Sequence, residues 1–125
     1  STPAVEVNGQ VNPDTIRLRL GETTRLRIIN LTVVVPSGLV ILTSRPDSAT
    51  ATLTDSLLVN WRLVAKDGAD LAPQQRLTLP ARQLIAMGET YDFEVTPARQ
   101  GLMRVEFRGA GRGGLLFARV PVRVE

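Results

Sequence analysis

Short segments of alternating apolar and polar residues follow one another along the chain, separated by Gly, Pro, Asn and Asp, and none carries the three-to-four apolar period of a core-facing helix. Residues 15–20 (TIRLRL) put Ile16, Leu18 and Leu20 on one face and Arg17 and Arg19 on the other. Gly21-Glu22 then turns the chain into 24–30 (TRLRIIN), so two strands with arginines on their wet faces are predicted. Pro36-Ser37-Gly38 breaks the next apolar run, and 39–43 reads as a third strand. Residues 44–56 (SRPDSATATLTDS) are small, polar and rich in Ser and Thr, which predicts a long hairpin tip or loop.

Strand character returns at 57–65 (LLVNWRLVA) with Trp61, the single tryptophan, as a predicted core anchor, and Asp67-Gly68 marks a turn. From 69 to 80 the sequence is irregular, with two prolines and a Gln-Gln pair. Segments 82–87 and 90–95 are joined through Gly88-Glu89, 97–101 is a connection, 102–108 (LMRVEFR) alternates cleanly, and 109–114 (GAGRGG) is a turn before 115–124. Pro121 cannot donate to a ladder, which predicts an edge, a bulge or a change of sheet at that point. About eight or nine strands at this spacing predict an all-β Greek-key β-sandwich.

A length of 125 residues fits one domain over 1–125, with 43% hydrophobic and 22% charged residues. No run approaches the roughly 20 apolar residues that span a bilayer, so no membrane partner is expected. The net charge of +3 rests on arginine, since Lys66 is the one lysine among 15 basic residues. Aromatics at 4% supply few stacking platforms, which argues against nucleic acid and for a solvated face.

Candidate chemistry is constrained by what is missing. The sequence holds no histidine and no cysteine, so the imidazole and thiolate ligands of copper and zinc are absent, and so is the usual base for a serine nucleophile. Ser37, Ser44, Ser48 and Ser56 fall in turn or loop sequence, with Lys66 the one possible lysine base. Asp67 and Asp70 in KDGAD could be paired carboxylates or calcium ligands, but three-residue spacing around a glycine suits a turn whose aspartates accept backbone hydrogen bonds. GAGRGG has the glycines of a phosphate loop, yet it lies between strands rather than before a helix, leaving Arg112 at the tip of a hairpin turn. No catalytic, cofactor-binding or metal-ligating residue is therefore assigned.

Arginines recur at two-residue spacing, Arg17 with Arg19 and Arg25 with Arg27, and Arg104 and Arg108 flank Glu106 in the same way. If the first two strands pair, the first four guanidiniums become cross-strand neighbours that need acidic or carbonyl partners, from Glu22, Glu94 or an adjacent domain. Arg17, Arg19, Arg25 and Arg27 are the candidate interface. Tyr91, just after Gly88-Glu89, is predicted to be a corner tyrosine whose buried hydroxyl bonds nearby backbone.

The segments VNGQVNPDTIRLRLGETTRLRIIN (7–30), VAKDGADLAPQQ (64–75) and GETYDFEVTP (88–97) together resemble a domain of the multicopper oxidases, the laccase-like family of linked cupredoxin domains. The resemblance is carried by Asn8-Gly9, Gly21, the Arg25 to Asn30 run, Asp67-Gly68, Pro73 and the Gly88 to Asp92 strand entry. It implies a cupredoxin-like sandwich of the middle-domain type, commonly copper-free, and a fragment of a longer secreted or periplasmic protein. Copper would lie in other domains, the parent being a copper-dependent oxidoreductase and the partners being neighbouring cupredoxin domains of the same polypeptide. None of the family's His-x-His or His-Cys-His motifs occurs, so no copper ligand carries over, and the 44–56 loop stands as an addition. The function implied is a non-catalytic scaffold between copper-bearing domains; the alternative is an independent module that binds a protein or polyanion through the arginine face or the 44–56 loop. With neither thiolate nor imidazole, the purified chain should take up no stoichiometric copper and develop no blue band after incubation with the metal. Elemental analysis finding about one tightly held copper per chain would contradict this.

Overall fold

The computed structural model describes residues 15–31, 37–44, 58–110 and 115–125. Among these residues the chain forms ten strands: β1 (Ile16–Leu18), β2 (Thr24–Ile29), β3 (Ser37–Thr43), β4 (Asn60–Lys66), β5 (Ala69–Asp70), β6 (Thr78–Pro80), β7 (Arg82–Ala86), β8 (Thr90–Val95), β9 (Gly101–Gly109) and β10 (Leu116–Val124). A 3-10 turn at Pro73–Gln75 is the one helical piece described, and no described helix is long and apolar enough to cross a membrane. The predicted 44–56 loop, Arg112, Asn8-Gly9 and Leu57 lie outside the described residues, apart from Ser44 at the loop's start.

Two sheets form the sandwich that alternation predicted. One has the order β1-β10-β9-β3-β7 and the other β2-β8-β4-β5, with β6 also paired to β4. Outside the short β5 and β6, the strands turn their apolar sets inward: Leu18, Val40, Leu42, Ile85, Met103, Val122 and Val124 from the first sheet meet Trp61, Tyr91, Phe93 and Val95 from the second. Trp61 anchors this core as expected, stacked on Phe93 with ring centroids 3.8 Å apart and planes 15° apart.

Strand existence was predicted better than strand pairing. Gly21 and Gly88 were read as turns between consecutive strands, and they are turns, but each carries the chain from one sheet to the other. β1 runs parallel to β10, Ile16 opposite Val122, whereas β2 runs antiparallel to β8, Leu26 opposite Phe93. Alternation fixes which side of a strand faces the core, and both arrangements satisfy that demand equally. The crossing at Gly21 is held by its N–H donating to Pro97 O at 2.9 Å and by Leu20 N–H donating to Glu125 O at 2.9 Å.

Two local readings are corrected, and the edge expected at Pro121 is found. The irregular 69–80 stretch holds two short strands, β5 and β6, whose two and three residues are too few to display a period. Ser37-Gly38, read as part of a break, begins β3 instead, and Gly38 pairs on both sides, with Ile85 and Gly109. Pro121 lies in β10, which has neighbours on both sides, yet β1 begins its register opposite Val122 and so leaves no ladder for Pro121 to interrupt there.

Gly38 is needed because the ring of Phe107 covers it. A Cβ built at Gly38 would stand 2.3 Å from Phe107 Cε2, inside any allowed contact, and a tight 3.3 Å from Arg108 O. Gly38→Ala should therefore cost about 1–3 kcal/mol through overpacking. Combining it with Phe107→Ala should cost less than the two single changes added together, because the ring that clashes is gone. Urea unfolding of the three variants checks this, and strict additivity would contradict the contact.

Candidate functional site

The four arginines of the predicted interface do not share a face. Arg17 lies on the outer side of the first sheet and Arg25 and Arg27 on the outer side of the second, so the sandwich separates them by its whole thickness. Arg19 follows β1, is exposed, and approaches Glu22 at 4.0 Å. The predicted four-guanidinium cluster is corrected to two sites, because β1 and β2 never pair.

On the second sheet, Arg25 and Arg27 close over Asp92. Register places Arg27 opposite Asp92 and Arg25 opposite Glu94, with Arg25, Arg27, Asp92 and Glu94 all on the outer face. Arg27 grips the carboxylate with a fork, Nε to Oδ1 at 3.0 Å and Nη2 to Oδ2 at 3.1 Å, while Arg25 Nε donates to Oδ2 at 2.8 Å. Arg25 also reaches Asp70 at 3.5 Å. Asp92 is thereby 2% exposed on a face that otherwise meets water. The Arg27 hydrogen bonds hold the Asp92 carboxyl below the usual carboxylate range against the opposing effect of burial, and the same contacts raise both guanidiniums. Of the partners proposed from sequence, Glu22 does meet one of the four, Arg19, while Glu94 faces Arg62 at 3.7 Å.

The first sheet repeats the device within one strand. Glu106, 2% exposed, takes Arg108 Nε at 2.9 Å and Arg104 Nε at 3.3 Å, both from β9. The alternation Arg104, Glu106, Arg108 was legible in sequence; the burial of Glu106 between the two arginines was not. Tyr91 is buried and bonded as predicted, but its hydroxyl donates to Glu89 Oε2 at 3.3 Å rather than to backbone. Glu89 is held in place by the Ala86 N–H at 2.7 Å and by Lys66 at 3.0 Å, and these lower its carboxyl and raise the lysine.

Among the described residues the two candidate carboxylates of KDGAD do not form a reacting pair. Asp67 occupies a two-residue hairpin turn with φ 51°, followed by Gly68 at 79°, and its Oδ1 accepts the Thr90 N–H at 2.9 Å. Asp70 faces Arg25 instead, so the two carboxylates of KDGAD serve different contacts. Among the described residues no group of three or more His, Cys, Asp or Glu could hold a metal ion, and the sequence offers no imidazole or thiolate to copper. Copper of the oxidase kind does not fit this donor set.

No family model matches the sequence, and no curated protein matches it significantly. Solved structures do match in fold. The blue copper oxidase of Nitrosomonas europaea superposes with a TM-score of 0.58 at 17% identity, over 89% of this chain and 30% of that one. The multi-copper oxidase of Pediococcus acidilactici gives 0.59 at 9% identity, over 90% of this chain and 21% of that one. A bacterial laccase-like multi-copper oxidase, CueO, from Ochrobactrum sp. gives 0.57 at 20% identity, over 89% of this chain and 21% of that one. The chain thus has the cupredoxin-like fold of a multicopper oxidase domain and spans less than a third of each of these proteins.

The arginine clamp makes a pH prediction. A carboxyl depressed in the folded state stabilises it above the unfolded value, near 4, and that stability is lost as pH falls through the lower folded value. Asp92→Asn should cost about 1–3 kcal/mol at pH 7, where charge-assisted bonds are lost. The deficit should shrink toward zero on acidification below about pH 4, as the parent carboxyl protonates. Chemical unfolding of both proteins across this range checks it; a gap that persists at low pH would place the effect in packing instead.

Proposed function

We propose that this chain is a non-catalytic, copper-free domain of a multicopper oxidase, a scaffold that positions copper-bearing neighbouring domains of the same polypeptide. The observation that carries the reading is the fold likeness: about nine-tenths of this chain superposes on a portion no larger than 32% of each oxidase, while the sequence contains no histidine or cysteine. A β-sandwich with that architecture and no copper donors has a role in holding neighbours rather than in electron transfer. The parent would be a secreted or periplasmic copper-dependent oxidoreductase, with the copper held by other domains.

Buried, doubly clamped carboxylates on the outer faces suit such a role. Asp92 and Glu106 stiffen surfaces that would otherwise be loose arrays of long side chains, and a stiff surface loses less entropy on docking.

The reading requires His-x-His segments in the natural polypeptide outside these 125 residues. Determination of the complete reading frame, followed by copper analysis of the full protein, checks it directly. A full protein with such segments that binds copper and oxidises a laccase substrate is expected; a complete reading frame without them would overturn the scaffold role.

A further inference from the structure

One row of the first sheet keeps two like charges where sheet stability alone would not choose them. Arg17 of β1 and Arg123 of β10 are register partners on the outer face, and Leu102 of β9 is the next residue across, opposite Arg123. Like charges directly opposite one another in a sheet are destabilising. Here a single carboxylate oxygen serves both: Arg17 Nη1 and Arg123 Nε each approach Glu125 Oε1, the second at 3.6 Å. Two guanidiniums thus share one side-chain carboxylate and keep N–H donors to spare, whereas the clamp on the other sheet matches Arg25 and Arg27 with two, Asp70 and Asp92.

The row is also open and rigid. Arg17 and Arg123 are 67% and 60% exposed and Leu102 is 72% exposed. Beneath them the backbone is fixed, since Glu125 N–H donates to Leu18 O and Leu20 N–H donates to Glu125 O, both at 2.9 Å. Arginine forks match carboxylates, and an exposed arginine pair beside an exposed leucine has the mixture of charge and apolar surface found where proteins meet.

We propose that Arg17, Arg123 and Leu102 form a docking surface for an acidic protein surface, whose carboxylates take the surplus guanidinium donors and whose apolar side chain covers Leu102. The exposed leucine within the row favours a protein over a sulfated or phosphorylated polymer, which would gain nothing from it. This inference stands apart from the oxidase reading, because it requires only that the partner be acidic.

The test is a titration of the 125-residue chain, labelled with ¹⁵N, with poly-L-glutamate and in parallel with heparin at the same ionic strength. Poly-L-glutamate should shift the amides of Arg17, Leu102 and Arg123, and the affinity should fall as salt rises. The double variant Arg17→Ser with Arg123→Ser should unfold at the parent midpoint and bind at least about threefold more weakly, the worth of two exposed ion pairs. A copolymer of glutamate and leucine should bind the parent more tightly than poly-L-glutamate does, and Leu102→Ser should abolish that difference. Shifts centred on Arg25 and Arg27, unchanged binding by the double variant, or no binding would overturn the assignment. Preference for heparin at the same residues would overturn the protein partner and identify a polyanion site.

Discussion

Outside the short β5 and β6, each strand of this chain has one apolar side, and the space between the two sheets is where those sides are removed from water. Trp61 and Phe93, stacked at 3.8 Å, fill its middle, with Tyr91 continuing the stack at 6.2 Å. At about 25 cal/mol per Å² of apolar surface, such burial is the dominant favourable term for a domain with no cysteine to form a disulfide. Most other features follow from it. Consecutive strands swap sheets at Gly21 and at Gly88 because both sheets must contribute to the same core, and Gly38 keeps no side chain because Phe107 needs that place.

The outer faces obey a second rule. A carboxylate next to the sheet backbone is costly unless its charge is answered, and here Asp92 and Glu106 are each answered by two arginines. Lysine could neutralise the charge but could not fork around it, which accounts for the physical value of arginine at Arg27 in particular. Replacing Arg25 and Arg27 would strand Asp92, so these two residues contribute to stability as well as to any surface they present. Arg17 and Arg123 have no such duty. Their shared, half-exposed Glu125 leaves them chemically available.

Fold and function separate at this point. The likeness to multicopper oxidase domains fixes the architecture, while the sequence lacks the imidazole and thiolate donors that copper favours. In the proposed scaffold reading such a domain works by contact, and its two outer faces differ in kind: one is electrostatically closed by Asp70 and Asp92, the other carries an arginine pair that shares one side-chain carboxylate beside an exposed leucine.

The strands themselves were legible because alternation is a local signal: 90–95 was placed to the residue, 24–30 and 82–87 to within one, and Trp61 was identified as core from its size and solitude. Composition alone likewise showed that imidazole and thiolate donors are missing from these 125 residues. Pairing was not legible, because a period of two gives the face of a strand and says nothing of its neighbour. The four arginines were therefore grouped by closeness in sequence, when Arg17 belongs with Arg123, more than a hundred residues away, and Arg27 with Asp92. Sequence determined which side chains leave the core; only the closing of the two sheets decided which of them meet, since the charge balance of a face depends on strands that no local pattern connects.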